Sequence, residues 1–166
     1  SADTALYLPD YRSGERTFQL LTQVAGRAGR GLLGGRVILQ TYAPDHYAIQ
    51  AVAEHDFHAF YKREMRSRAE IGYPPYSRLI RLEIRATDAQ QARQEAERLH
   101  GLLARRIKEE NRIQTSLIGP APCYYPRLDN LHRWHVIVRG PDPSEVVSDL
   151  RSSQLLYVDV DPVSLL

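Results

Sequence analysis

The stretch RLIRLEIRAT at residues 78–87 limits the fold more than any other part of the sequence. It alternates over residues 80–85, with Ile80, Leu82 and Ile84 separated by charged residues. Successive side chains of a β-strand point to opposite faces of its sheet, so the alternation predicts a strand that buries one face only. Such a strand needs neighbouring strands and a second layer on its apolar side.

The segments after this strand predict the fold class. Thr87 and Gln90 fit a capping box, and apolar residues at helical spacing continue to about Asn111. The further predicted elements are strands at residues 115–122, 133–140 and 155–162, and a second helix at residues 144–153. The order β-α-β-β-α-β predicts an α+β domain of ferredoxin-like fold, with a four-stranded antiparallel sheet and both helices on one face.

The other face of this predicted sheet carries mostly charged residues. They are Arg81, Glu83, Arg85, Arg133, His135, Arg139, Tyr157 and Asp159. Single-stranded nucleic acid binds to comparable sheet faces when aromatic rings are present for base stacking. Here Tyr157 is the only tyrosine, phenylalanine or tryptophan, so the face is expected either to be solvated or to bind a ligand.

A more promising nucleic-acid site lies in and after the loop predicted at residues 123–132. Tyr124 and Tyr125 offer rings for stacking, whereas Arg127 and Arg133 offer planar guanidinium groups for phosphates. We therefore expect these four residues to contact DNA.

The first 73 residues predict a different order of helices and strands from that of residues 74–166. Apolar residues at helical spacing predict a helix over residues 15–28, and the run RVILQTY predicts a strand at residues 36–42. A long helix follows from Asp45 until GYPPY ends it, because proline restricts the residue before it. The prolines at 74 and 75 predict a boundary between domains at residues 1–73 and 74–166.

Composition narrows the function classes. Cys123 is the only cysteine, no apolar run approaches the ~20 residues of a membrane span, and no secretory signal is recognisable. We therefore expect a cytoplasmic protein without membrane contact. His55 and His58 lie three residues apart but lack a third ligand, so no metal site is expected. The net charge is only +2, so any phosphate binding must be local.

The stretch QVAGRAGRG, residues 23–31, is the strongest functional motif. Arg27 and Arg30 lie three residues apart among glycines, at the end of the predicted helix. A guanidinium group can bind two phosphate oxygens at once, so this arrangement fits a phosphate clamp. The spacing fits equally well a solvated helix end, where arginines favour the helix dipole and glycines terminate the helix.

QVAGRAGR resembles Q-x-x-G-R-x-G-R, the sixth motif of superfamily 2 helicases. Together with YPPYSRLIRLEIRA, IGPAP, RWHVIVRG and VDVDP, it resembles the C-terminal part of the primosomal protein N′ (PriA) family of replication-restart DNA helicases. The resemblance covers nearly the whole chain. It implies that residues 1–73 complete the second helicase lobe and that residues 74–166 form the C-terminal domain.

The resemblance also implies chemistry and partners. Gln23, Arg27 and Arg30 match positions that sense ATP phosphates, with the two arginines as arginine fingers. ATP and Mg²⁺ would bind mainly to an upstream lobe, because the chain has no G-x-x-x-x-G-K-[ST] loop. Zinc would belong to the upstream part only. The implied partners are forked or single-stranded DNA, single-stranded DNA-binding protein and other primosome proteins.

Two functions therefore remain open from the sequence. In the first, the chain is a C-terminal fragment of an ATP-dependent 3′-to-5′ DNA helicase that remodels stalled forks and helps to reload the replicative helicase, and the fragment alone is inactive. In the second, it is a stand-alone ferredoxin-like adaptor that binds nucleic acid or docks proteins without ATPase activity.

Overall fold

The computed structural model describes residues 3–28 and 36–166. The chain divides into two compact units, Ser1–Glu70 and Ile71–Leu166. Within the described ranges, no helix combines the length and the apolar character needed to cross a membrane.

The first unit is helical. Its helices are α1 (Asp3–Leu6), α2 (Ser13–Ala28), α3 (Tyr47–Ala53) and α4 (Phe57–Ile71). Phe18 of α2 stacks on Phe60 of α4 with ring centroids 4.2 Å apart, and Ile49 and Val52 of α3 complete a small apolar core. The predicted helix over residues 15–28 is present and begins two residues earlier, at Ser13.

The single long helix predicted from Asp45 is wrong, because the structure has two helices there. The chain turns between them at His55, whose φ of 55° lies in the left-handed region. Asp56 then starts α4, since its carboxylate accepts a hydrogen bond from the backbone N–H of Ala59 at 2.9 Å. A side chain that satisfies a free N–H group at a helix start favours a new helix over continuation of the old one.

The strand predicted at residues 36–42 is also wrong. A strand needs a neighbour for its backbone hydrogen bonds, and the described part of the first unit contains no strand. Instead, the carboxylate of Asp3 accepts hydrogen bonds from the Thr41 hydroxyl at 2.6 Å and from the Tyr42 N–H at 3.1 Å. The segment leaves Ile38 and Tyr42 82% and 92% exposed.

The second unit has the predicted ferredoxin-like α+β fold. Its strands are β1 (Arg78–Ala86), β2 (Ser116–Leu128), β3 (Leu131–Gly140) and β4 (Leu156–Val160), and its long helix is α5 (Ala89–Glu109). The strands form one antiparallel sheet in the order β2-β3-β1-β4. Asp88, rather than Thr87, caps α5 by accepting a hydrogen bond from the Gln91 N–H at 2.7 Å.

The apolar side of this sheet packs against α5. Ile80, Leu82 and Ile84 of β1 lie opposite Val138, Val136 and Trp134 of β3, and these residues meet the inward face of the helix. The helix contributes Ala96, Leu99 and Leu103. The alternation in β1 therefore selects the apolar face as expected.

The second predicted helix, at residues 144–153, is reduced to one short 3₁₀ helix, Glu145–Val147. Val146 and Val147 of this turn are buried in the core. The rest of the segment, SDLRSS, is rich in serine and aspartate, which favour turns because their side chains bond to nearby backbone groups. One buried turn closes this side of the core, and a full helix is not formed.

β2 and β3 form a longer hairpin than the sequence predicts. The predicted loop at residues 123–132 is mostly strand, because β2 continues to Leu128. Asp129 and Asn130 turn the chain with φ values of 50° and 61°, a conformation that matches the twist of a two-residue hairpin. Gly119, with a φ of 97°, lies at an irregularity of β2 where an added Cβ would be 2.7 Å from the His135 carbonyl oxygen.

The charged face of the sheet is buried at its centre, so the expectation of a solvated or ligand-binding face is wrong there. Glu83 is 0% exposed, and its carboxylate accepts hydrogen bonds from Arg133 Nε at 2.6 Å and Nη2 at 3.0 Å, and from Arg85 Nε at 2.7 Å. Burial raises the pKa of this carboxyl, but the hydrogen bonds from the two arginines outweigh it and leave the pKa below its usual value. Arg81 lies 3.5 Å from the same carboxylate.

Two segments cover this centre. From β2, Cys123 is buried beside the charges and the Tyr125 carbonyl accepts a bond from Arg133 at 3.4 Å. From the last residues, Leu165 is buried and the Leu166 carbonyl accepts a bond from Arg81 at 2.8 Å. Away from this centre the face is more accessible, since the side chain of Arg85 on β1 is 39% exposed and Tyr157 on β4 is 43% exposed.

Candidate functional site

The last turns of α2 carry the first candidate site. Gln23 and Arg27 are four residues apart and therefore lie on one side of the helix, and both are exposed. Within the described part of the chain, the Arg27 guanidinium forms no ion pair with a carboxylate. Arg30, the second predicted arginine finger, lies outside the described residues. The structure therefore leaves the Arg27 guanidinium exposed on the surface of α2.

Gly26 leaves space beside Arg27. A Cβ added at Gly26 would meet no atom of residues 3–28 and 36–166 within 4 Å. Glycine in a helix interior costs about 1 kcal/mol relative to alanine, so nothing in the described fold explains its use. Among the described residues, the surface of α2 at Gly26 is therefore open.

The same helix carries apolar residues that the structure leaves exposed. Leu20 and Val24 are 53% and 49% exposed. They line a surface groove of about 470 Å³ together with Leu21, Leu39 and Tyr42 among others. The sequence contained a sign of this, because Leu20 and Leu21 are adjacent and cannot both face the same side of a helix.

The β2–β3 hairpin carries the second candidate site. Tyr124 and Tyr125 are 46% and 56% exposed, and their rings meet edge to face with centroids 4.9 Å apart. Arg127 is exposed and lies opposite His132 in the hairpin ladder. The structure therefore brings two tyrosine rings and one guanidinium group to the surface of the β2–β3 hairpin.

Arg133 is separated from this group. Its guanidinium is taken up by Glu83, and the residue is only 8% exposed. The sequence could not separate it from Arg127, since its partner lies 50 residues earlier. In the structure Arg133 supports the sheet, and we exclude it from the candidate DNA contacts.

The described residues provide neither a reactive cysteine nor a metal-binding cluster. Burial raises the pKa of the Cys123 thiol to about 11, so the thiol remains protonated near neutral pH and is not a nucleophile. No group of three histidine, cysteine, aspartate or glutamate side chains in residues 3–28 and 36–166 could hold a metal ion.

The geometry first defines a class of protein. It is an α+β chain in which a ferredoxin-like domain with an aromatic hairpin follows a helical unit that presents Gln23 and Arg27. Residues 69–163 match the family described as the primosomal protein N C-terminal domain, and the chain belongs to this family.

Similar proteins extend the match to nearly all of the chain. The chain is 38% identical over 172 residues to the replication restart protein PriA of Synechocystis, covering 99% of the chain and 20% of that protein. It is 41% identical over 151 residues to the replication restart protein PriA of Bacillus subtilis, covering 91% of the chain and 18% of that protein. The chain thus spans about a fifth of the length of these relatives.

Proposed function

We propose that the chain is the C-terminal part of an ATP-dependent 3′-to-5′ DNA helicase that remodels stalled replication forks and helps to reload the replicative helicase. The observation that carries this proposal is the exposed Arg27 guanidinium, which has no carboxylate partner among the described residues and lies beside the open space at Gly26. The similarity to replication restart proteins supports the same function.

In this proposal the first unit is the end of the second helicase lobe. The exposed Leu20 and Val24 and their groove are then covered by the preceding polypeptide. Arg27, with Gln23 and Arg30, contacts the phosphates of ATP that the preceding polypeptide binds together with Mg²⁺. A fixed guanidinium stabilises the negative charge that spreads over the transferred phosphoryl group. ATP hydrolysis supplies the free energy for strand separation.

The hairpin is the proposed DNA contact of the second unit. Exposed rings bind single-stranded bases by stacking irrespective of sequence, and a nearby guanidinium binds the phosphate. Tyr124, Tyr125 and Arg127 provide these groups on one arm. Single-stranded DNA-binding protein and other primosome proteins are proposed as partners because the relatives are named for replication restart.

The direct test compares the chain with the longer protein that carries it. We expect the longer protein to hydrolyse ATP in a DNA-dependent manner and to unwind a fork with a 3′ single-stranded arm, whereas residues 1–166 alone do neither. DNA binding without ATP hydrolysis by the longer protein would instead support the stand-alone adaptor.

A first variant tests the space at Gly26. We expect Gly26→Ala to raise or leave unchanged the free energy of unfolding of the chain, because the added methyl meets no atom of the described residues and alanine favours the helix by about 1 kcal/mol. In the longer protein the same variant should lower the ATPase rate, since the methyl occupies the approach to Arg27. Gly101→Ala on α5 is the matched control, because a Cβ there also meets nothing within 4 Å. Equal ATPase rates in the two variants would contradict the proposed contact.

A second variant tests the hairpin. We expect Tyr124→Ala and Tyr125→Ala each to weaken binding of a labelled oligothymidine by about tenfold, because a stacked base contributes about 1–3 kcal/mol. Tyr76→Ala is the matched control, since Tyr76 is 55% exposed in the same unit but lies outside the hairpin. Fluorescence anisotropy measures the affinities. If the hairpin variants bind as tightly as the Tyr76 variant, the hairpin is not the DNA contact.

A further inference from the structure

One side of α4 carries a cleft that neither candidate site includes. The cleft has a volume of about 350 Å³ and is lined by Tyr47, Arg63, Arg66, Ser67 and Glu70. The last four residues have spacings of three, four and seven along the helix, so they form one continuous strip. The cleft belongs entirely to the first unit.

The two arginines of this strip differ from most arginines of the chain. Arg68, on the same helix, is held by Glu64 at 2.7 Å and by Glu15 at 2.8 Å, and Arg12 and Arg16 are also paired with carboxylates. Arg63 and Arg66 are exposed, and neither forms an ion pair with any carboxylate of residues 3–28 and 36–166. The cleft therefore presents two available guanidinium groups.

The side of the cleft formed by Tyr47 is held in place by hydrogen bonds and ring stacking. The Tyr47 hydroxyl donates a hydrogen bond to Glu64 at 2.6 Å, and Glu64 is itself held by Arg68. Tyr47 also stacks against Phe60 of the core with ring centroids 6.0 Å apart. These contacts fix α3 against α4, so the two arginines project from a rigid surface rather than from a loop.

The geometry favours an extended polyanion over a small anion. The Cβ atoms of residues three apart on a helix are about 5–6 Å apart. Each strand of DNA carries one charge per about 3.4 Å of helix axis, so two such arginines can reach neighbouring phosphates of one strand. Guanidinium groups bind phosphate oxygens through paired hydrogen bonds. Both side chains are open to solvent, which suits a strand that continues past the cleft.

We infer that the α4 cleft binds the phosphodiester backbone of a DNA strand through Arg63 and Arg66. This inference rests on the proposed function, and it adds a contact in the first unit to the hairpin contact in the second. Glu70 is the one carboxylate among the lining residues, and it weakens rather than assists this binding.

The test measures DNA binding by residues 1–166 at several salt concentrations. A labelled single strand and a labelled fork are titrated with wild type, with Arg63→Ala/Arg66→Ala, and with the control Lys62→Ala/Arg105→Ala. The control removes the same charge from two exposed positions outside the cleft. Circular dichroism verifies that each variant is folded.

We expect the cleft variant to bind DNA about tenfold more weakly near physiological salt, because exposed charge contacts are individually modest. Its slope of log affinity against log salt should flatten by roughly 1.5, since each lost phosphate contact contributes about 0.7–0.9. Glu70→Gln should bind about two- to threefold more tightly, because the repelling carboxylate is gone. The control variant should change affinity and slope less than the cleft variant.

Two results overturn the inference alone. In the first, wild type binds DNA, but the cleft variant and the control have the same affinity and slope. In the second, the cleft variant retains DNA binding but loses binding of a polyglutamate peptide, which would make the occupant an acidic protein segment. If wild-type protein and the longer protein both fail to bind DNA, the proposed function fails and the inference fails with it.

Discussion

We expect Arg27→Ala in the longer protein to lower DNA-stimulated ATP turnover by about 10³-fold or more while nucleotide affinity changes only a few-fold. An arginine that contacts the transferred phosphate stabilises charge that develops mainly in the transition state, so its loss affects kcat more than binding. Steady-state ATPase assays and a fluorescent ATP analogue measure the two quantities. From the motif alone, we expect Arg30→Ala to have the same effect.

Three variants distinguish a phosphate contact from a structural role. Arg27→Lys keeps the charge but loses the planar fork, so its turnover should fall nearly as far as that of the alanine variant. Arg27→Ala should leave the free energy of unfolding within about 0.5 kcal/mol of wild type, because the side chain is exposed and forms no ion pair with the described residues. Arg93→Ala removes a guanidinium that is 63% exposed on α5 and should retain full turnover. Unchanged turnover in Arg27→Ala would remove the arginine-finger assignment.

The sequence correctly predicted those helices and strands that are determined by the pattern of residues within the segment itself. The alternation in β1 fixed its two faces, and four strands with a first long helix were enough to predict the ferredoxin-like class. The predictions failed where the secondary structure of a segment depends on residues that are distant in sequence or on a neighbouring strand that is absent among the described residues. Residues 36–42 have strand-forming side chains but no strand beside them among the described residues. The helix at residues 144–153 shrank to one turn, because two buried valines already close the core.

The candidate site residues also divide into those that local sequence predicts and those that depend on distant partners. The motif placed Gln23 and Arg27 at the end of α2, and the structure exposes both. Alternation placed Arg133 on the polar face, but it carried no information on what covers that face. The partner of Arg133 is Glu83, 50 residues away, and two further segments bury the pair. A polar residue in an alternating strand can therefore be as buried as its apolar neighbour.

That burial leads to the largest expected effect on stability. We expect Glu83→Ala to lower the free energy of unfolding of the second unit by about 3–5 kcal/mol, because removing one partner of a buried ion pair leaves an uncompensated charge. Here Arg133 and Arg81 are each 8% exposed and would lose their shared carboxylate. Urea unfolding followed by the fluorescence of Trp134, which packs against the core of this unit, measures the change.

Glu97→Ala is the matched control for this variant. Glu97 pairs with Arg93 on the outer side of α5, with side chains 49% and 63% exposed, and such surface pairs contribute at most about 1 kcal/mol. The pH dependence of stability also distinguishes the buried carboxylate from the exposed one. The lowered pKa of Glu83 means that its contribution is present above the ordinary carboxyl pKa and is lost as the pH falls through the folded value. Glu83→Gln should therefore be less sensitive to acid than wild type, whereas Glu97→Ala should follow wild type. Equal losses of stability in Glu83→Ala and Glu97→Ala would contradict the structural role of the buried pair.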